Sequence, residues 1–386
     1  MNGQSSGESA ALSCPHRPPC PGCPRFGQPG VGPQSRAQLD ALARAHGLPP
    51  VPVAPDAEQT GFRSRARLSI RGRVGSPKLG LFESGTHRVV HIPNCRVQHP
   101  LINHVAAVVR RVLVEAQLTC YSDKAHLGVA RYLQVVIERS SQSAQVVLVG
   151  NAATAAVFGA CFDNLRARLG RDLHSLWFNG NQEATNSILG PEFVRICGPD
   201  TVVEHFAGAA VHYPPGAFGQ SNLEVAERII EHLRDEVPLG ARVAEFYAGV
   251  GAIGLSLLDR TVSLRLNELN PHSLAGLAVG VSGLEAEDRA KIEVLPGSAA
   301  SARAMADGVD VVIADPPRKG LDPELTSALA ASPPARFLYV SCGLESFLAD
   351  TARLTAAGKL RLTGLRAFNL LPYTDHVETV GRFESG

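Results

Sequence analysis

The stretch "FRSRARLSIRGRV", residues 62–74, alternates between two kinds of side chain. Arg63, Arg65, Arg67, Arg71 and Arg73 share one parity; Ala66, Leu68, Ile70 and Val74 share the other. Successive side chains of a strand point to opposite faces, so this period predicts a half-buried strand with arginine along its exposed face. Ahead of it, residues 35–46 read as one short helix, and "LPPVPVAPDAEQTG" as a spacer. Beyond it, residues 100–118 read as a helix, and "YLQVVIE" and "AQVVLVG" pair across "RSSQS" as a hairpin. Residues 61–215 are therefore expected to form an α+β domain, with 1–13 a disordered tail and 14–60 a separate region.

After "HYPPGAFGQ" the texture changes. "SNLEVAERIIEHLRDEVP" is an amphipathic helix, with Ser221 and Glu224 as an expected capping box and a proline past its end. Short apolar runs then alternate with helical stretches: "ARVAEFYA", "SLRLNEL", "KIEVLPG", "GVDVVIAD" and "RFLYVSC". Near-continuous apolar strands separated by crossover helices predict a parallel sheet buried on both faces. "LRLTGLRAFNLL" and "HVETVGRFE" are expected to close it as a hairpin. The class over 216–386 is thus α/β, a doubly wound Rossmann-like domain.

Composition narrows the picture further. The chain has 386 residues, 45% hydrophobic and 19% charged, as in soluble globular proteins. No apolar run reaches the roughly 20 residues of a membrane helix, and the N-terminus lacks the pattern of a signal peptide. A cytoplasmic protein without a membrane partner is expected, and no protein partner is evident. A net charge of +1 requires any nucleic-acid surface to be local.

"EFYAGVGAIG" follows the first strand of the parallel run and is expected to enter a helix. Glycines there let backbone approach a ligand, and Gly249, Gly251 and Gly254 satisfy the dinucleotide pattern G-x-G-x-x-G. Two features favour S-adenosylmethionine instead. Glu245 stands four residues before Gly249, and Glu268 ends the next strand, where a carboxylate can accept ribose hydroxyls.

"IADPPRKGLD" puts Asp315 at the end of one strand, and "YVSCG" puts Cys342 at the end of the next. In a doubly wound sheet such ends face one crevice. "LLPYTDHVETV" puts Glu378 in the turn between the last two strands, within reach of the same edge. A thiol and two carboxylates suit C5 of uracil, a poor carbon nucleophile. Thiolate addition at C6 makes C5 nucleophilic, and a base must then remove the C5 proton. Cys342 fits the nucleophile and Glu378 the base, with Asp315 holding the uracil edge or the methyl donor. The helix after Cys342 is expected to lower its pKa.

"FGQSN", "EFYAGVG", "NELNP", "DPPRKGLD", "YVSCG" and "PYTDHVE", in this order, resemble the RNA uracil-5-methyltransferase family, which acts on rRNA or tRNA. The resemblance implies that 216–386 is an S-adenosylmethionine-dependent methyltransferase domain. It implies Cys342 as nucleophile, Glu378 as base, and Gln220, Tyr247, Glu268 and Asp315 along the cofactor site. Two positions depart from the family pattern: Gly343 stands where asparagine is usual, and Ser298 where an acidic or amide residue often meets adenine. Only thirteen residues precede Cys14, so the N-terminal β-barrel of many members is expected to be absent; a cysteine cluster without that barrel tilts the expectation towards 23S rRNA, with tRNA as the alternative. An exocyclic-amine methyltransferase, or an inactive RNA-binding protein on the same fold, are the rival readings.

Cys14-x5-Cys20-x2-Cys23, with Cys95 downstream, offers four thiolates that suit zinc or an iron–sulfur cluster, and spacing does not choose. The family resemblance points to [4Fe–4S], in a structural or RNA-positioning role. The arginines 63, 65, 67, 71 and 73 are expected to track an RNA backbone. Uracil must leave its stack to meet a cysteine, so a loop or flipped base is implied.

Overall fold

The computed structural model describes residues 12–28, 30–54, 59–185 and 187–386. The expected tail lies outside the described residues as far as residue 11. Helix α1 (Pro33–Ala45) comes first. A mixed seven-stranded sheet follows, built from β1 (Arg65–Arg73), β2 (Ser76–Phe82), β3 (Val89–His91), β4 (Ala130–Glu138), β5 (Ser143–Gly150), β6 (Leu173–Gly180) and β7 (Phe193–Cys197). Its order is β3-β2-β1-β4-β5-β6-β7. Helices α2 (Pro100–Glu115) and α3 (Cys161–Leu169) pack on it. The apolar parity of β1 behaves as the alternation predicts: Ala66, Leu68 and Ile70 join this core with Val105, Val109 and Leu133.

A two-stranded hairpin, β8 (Val202–Phe206) and β9 (Ala209–Tyr213), leads into α4 (Leu223–Glu236). Val202, Phe206, Val211 and Tyr213 are buried with Ile229, Leu233 and Val243, so the hairpin shares the core of the C-terminal half although it precedes residue 216. Helix α4 starts one residue later than the capping box implies. Asn222 is the cap, accepting from the Val225 N–H, and Glu224 pairs instead with Arg228. The Ser221 carbonyl is engaged elsewhere, accepting from the backbone N–H and the hydroxyl of Ser64.

The second seven-stranded sheet contains β10 (Ala241–Phe246), β11 (Thr261–Glu268), β12 (Ile292–Pro296), β13 (Val311–Ala314), β14 (Arg336–Ser341), β15 (Leu360–Phe368) and β16 (Glu378–Ser385). Helices α5 (Pro271–Ser282), α6 (Ala286–Ala290), α7 (Pro323–Ala331) and α8 (Leu344–Thr355) connect the strands. The order is β12-β11-β10-β13-β14-β16-β15, parallel through β14 and antiparallel at the last two strands. The chain runs outward from β10 on one side, then returns to β13 on the other. The carboxyl ends of β10 and β13 therefore flank a topological switch point, where ligands bind in such sheets.

The region before β1 is docked and does not act as a spacer. Val51 is buried, Val53 bridges Ala367, and Leu39, Ala43 and Val51 pack with Ala367 and Val377 at the outer hairpin. Residues 55–58 of that stretch lie outside the described residues. Among the described residues, no helix is long and apolar enough to cross a membrane.

Candidate active site

The switch point opens into a cavity of about 1250 Å³ between the two sheets. That volume exceeds what one drug-sized ligand needs. Its floor is the turn after β10. Tyr247, Gly249 and Gly251 all have positive φ, at 60°, 59° and 86°, and a side chain at Gly251 would meet Leu277 at 2.7 Å. The Gly249 N–H donates to Glu268 Oε2 at 2.7 Å, while Glu268 Oε1 accepts from the Leu269 and Asn270 N–H groups. Glu268, at the end of β11, thus fixes the turn's shape. The turn does not open a long helix as expected; a single 3₁₀ turn, Gly254–Leu257, follows.

Glu245 lies in β10 beneath this turn, 1% exposed, and its Oε2 has no partner. Burial, reinforced by Asp315 and then Glu268, pushes its carboxyl well above the ordinary range. Tyr247 exchanges hydrogen bonds with Asp322: its hydroxyl donates to Oδ2 and accepts from the Asp322 N–H. Gln220 and Ser298 also line the cavity, and the Ser298 hydroxyl accepts from the Ser301 N–H.

The three groups singled out for chemistry meet here. Asp315 follows β13, Cys342 follows β14, and Glu378, Asp315 and Cys342 all face the cavity. Glu378 is not in a turn; it is the first residue of β16, paired with Phe368, 2% exposed, with Oε1 unpartnered. Burial raises the Asp315 carboxyl to about 7. It raises Glu378 well above the ordinary range, Asp315 adding to the effect and Arg318 opposing it. Cys342 is half-buried and its thiol is pushed up, not down. Burial is the main cause, the carboxylates of Glu378 and Asp315 add to it, and Arg318 opposes them. Gly343 has a packing reason: a Cβ there would lie 2.6 Å from the Arg318 carbonyl oxygen and 2.6 Å from Ser346 Oγ.

The arginine face of β1 looks into the same cavity only in part. Arg63, Arg65 and Arg67 line it. Arg65 donates to the Ala217 carbonyl at 3.0 Å and lies 5.4 Å from the Tyr213 ring, burial lowering its pKa to about 10. Arg67 donates to Gln134 Oε1. Arg71 departs from the expected exposed face. It is 6% exposed, bidentate to Asp123 at 2.7 and 2.8 Å, and bonded to the carbonyls of Ile70 and Arg131. Its guanidinium is fully occupied inside the protein. Arg73 is exposed at the strand's end and does not line the cavity.

Cys14, Cys20, Cys23 and Cys95 line the far end of this cavity. Burial raises the Cys20 thiol, a Gly22 backbone hydrogen bond opposing and Cys95 and Cys14 adding; burial raises Cys23 to about 11, Arg63 opposing and Cys95, Cys20 and Cys14 adding. Among the described residues no three His, Cys, Asp or Glu side chains close on one point as a metal site. The donor set, four thiols around one pocket end, is the type that thiophilic metals and clusters take.

Arg318, His376 and Phe218 line the cavity as well. Arg318 and His376 lie inside motifs already quoted, and the Arg318 Nη2–His376 Nε2 separation is 3.3 Å. Phe218, 66% exposed beside Gln220, presents a bare aromatic face; its place at the head of the motif "FGQSN" was the available signal.

Strand order and switch-point cavity define the class as a Rossmann-like methyltransferase, the antiparallel β16 inserted between β14 and β15 being the distinguishing feature. A family model described as tRNA (uracil-5-)-methyltransferase matches residues 306–383, which hold Asp315, Cys342 and Glu378. An uncharacterized RNA methyltransferase from Protochlamydia amoebophila is 34% identical over 389 residues, 97% of this chain and 98% of the relative. One from a Nostoc species is 30% identical over 356 residues, 88% of this chain and 75% of the relative. The crystal structure of Pyrococcus abyssi tRNA (uracil-54, C5)-methyltransferase, in complex with S-adenosyl-L-homocysteine, has the same fold: TM-score 0.74, 22% identity, 91% of this chain and 83% of that one. The chain belongs to the RNA methyltransferases, and its residues 306–383 carry the signature of their uracil-5 family.

Proposed function

We propose that this protein methylates C5 of a uridine in RNA, with S-adenosylmethionine as methyl-donor substrate. The observation that carries the reading is the meeting of Cys342, Glu378 and Asp315 in one cavity with the glycine turn of β10. Gln220, Glu245, Tyr247, Gly249, Gly251, Glu268 and Asp315 would surround the donor. Glu268 already holds the turn and can reorganise towards ribose hydroxyls, while Phe218 offers a stacking face for a flipped base.

The Cys342 thiolate, its proton already lost to solvent, bonds through Sγ to C6, and the electron pair of the C5=C6 bond moves out to form an enolate. C5 attacks the sulfonium methyl, so one C–C bond forms as the S–CH₃ bond breaks. Glu378 takes the C5 proton, C5=C6 re-forms, and the Cys342 thiolate leaves. Glu378 must be ionised for that, and its buried, unpartnered Oε1 is an available acceptor. Arg318 is the positive charge that favours the anionic forms of both Cys342 and Glu378.

The RNA is proposed to be 23S rRNA, with tRNA the alternative; mass mapping of both from a deletion strain distinguishes them. Cys14, Cys20, Cys23 and Cys95 would hold a [4Fe–4S] cluster, zinc being the alternative, in a structural or RNA-positioning role. Arg63, Arg65 and Arg67 would meet the RNA backbone.

The test of the reaction uses 5-fluorouridine-containing RNA. Fluorine at C5 cannot leave as a proton does, so the Cys342 adduct should persist on a denaturing gel in the presence of S-adenosylmethionine. Cys342→Ser should abolish it. RNA that binds without any adduct forming would refute the covalent mechanism and favour an inactive RNA-binding protein.

A further inference from the structure

Glu378 is held in place from an unexpected direction. The loop 371–375, just ahead of it, is bonded to the segment that follows Cys23. The Arg25 N–H donates to the Tyr373 carbonyl at 2.9 Å, and Arg25 Nη1 donates to the Thr374 carbonyl at 3.3 Å. The Phe26 ring lies 4.8 Å from the Tyr373 ring. Tyr373 is 1% exposed, has φ +68°, and packs with Phe62, Val97 and Phe26. A non-glycine residue with positive φ is costly and persists only where its surroundings over-determine it. Ser35 Oγ adds a bond to the Asp375 carbonyl. Across the loop, Val377 packs against Leu39 and Ala43 of α1. The residues that fix the backbone into Glu378 thus lie some 350 positions earlier in the chain.

We propose that Arg25 and Phe26 are positioning residues for Glu378: by clamping Tyr373 and Thr374 they set the carboxylate's place relative to Cys342. This rests on the reading of Glu378 as general base. It assigns the turn after Cys23 a role in proton removal, separate from RNA contact.

Methyl transfer precedes proton removal in the proposed sequence, which gives the role its own signature. A displaced Glu378 leaves Cys342 attack and methyl transfer intact and stalls the enzyme as a methylated RNA–protein adduct. A shift of about 1 Å at a reacting group costs roughly 100-fold in rate. The experiment compares wild type, Phe26→Ala, Phe26→Tyr and Arg25→Met on ordinary uridine RNA with methyl-labelled S-adenosylmethionine. Phe26→Ala should turn over roughly 10- to 100-fold more slowly, accumulate labelled adduct from ordinary RNA, and keep RNA affinity, metal content and the 5-fluorouridine adduct rate within about twofold of wild type. Phe26→Tyr should restore turnover. Arg25→Met, which spares the apolar contact, should show the same adduct to a smaller degree and covers the case in which Phe26→Ala does not fold. Turnover within twofold of wild type in the folded variants, or slowed turnover without adduct, overturns the proposal. Absence of a 5-fluorouridine adduct in the wild type would instead sink the underlying reaction.

Discussion

The Asp315→Asn substitution probes the acid cluster directly, because Asp315 raises both Glu378 and Cys342. In the fold, burial lifts the Asp315 carboxyl to about 7; in an unfolded chain it titrates near about 3.9. Between those values the folded state holds the extra proton. Stability is therefore fully present below about pH 4 and is lost as pH rises through about 7, at about 1.4 kcal/mol per pH unit for one proton. From about pH 5 to pH 7 one fully buried group would remove about 2 kcal/mol, the slope falling off as the folded carboxyl itself begins to ionise. Asp315 opens onto the cavity, where solvent screens it, so about half of that is expected. Urea unfolding at the two pH values measures it: the wild type should lose about 1 kcal/mol more than the D315N protein. A residual slope remains in the variant because Glu245 and Glu378 are raised as well. The same change removes a negative neighbour from Cys342, so its alkylation profile should move to lower pH. Equal pH-dependent losses in both proteins, with an unmoved thiol profile, would refute the idea that these acids share one electrostatic site.

Two further outcomes are expected. The Arg63→Gln/Arg67→Gln protein spares Arg65, which ties β1 to the Ala217 loop; its log–log salt dependence of RNA binding should flatten by roughly 0.7 per lost phosphate contact, and an unchanged slope would remove these arginines from the RNA path. Cys14→Ser should lower bound iron and acid-labile sulfide in freshly purified protein, and a folded variant with its full metal content would exclude Cys14 as a ligand.

Elements governed by local period were legible from the sequence. The β4–β5 hairpin, the buried parallel strands and the closing pair β15–β16 occupy the segments their patterns mark. What was not legible depends on partners remote in sequence. Arg71 has the same parity as Arg67, yet Asp123, 52 positions away, turns it into an internal ion pair. The cap of α4 moves from Ser221 to Asn222 while the Ser221 carbonyl is bonded to Ser64, 157 positions away. Cys342 makes the same point energetically. Its place before α8 announces a helix N-terminus, which favours a thiolate by about 0.3 to 1 kcal/mol. Burial and two carboxylates brought in by β13 and β16 act against it, and the thiol rises. A motif reports which groups meet; the sign of their mutual effect follows from depth and from the balance of charge, and around Cys342 and Glu378 Arg318 acts against burial and the neighbouring Asp315 carboxyl. Under the proposed reaction that imbalance has a use: a sulfonium donor brought beside Glu378 and Cys342 would stabilise the ionised form of both, so the groups proposed as base and nucleophile would become competent when the donor is present.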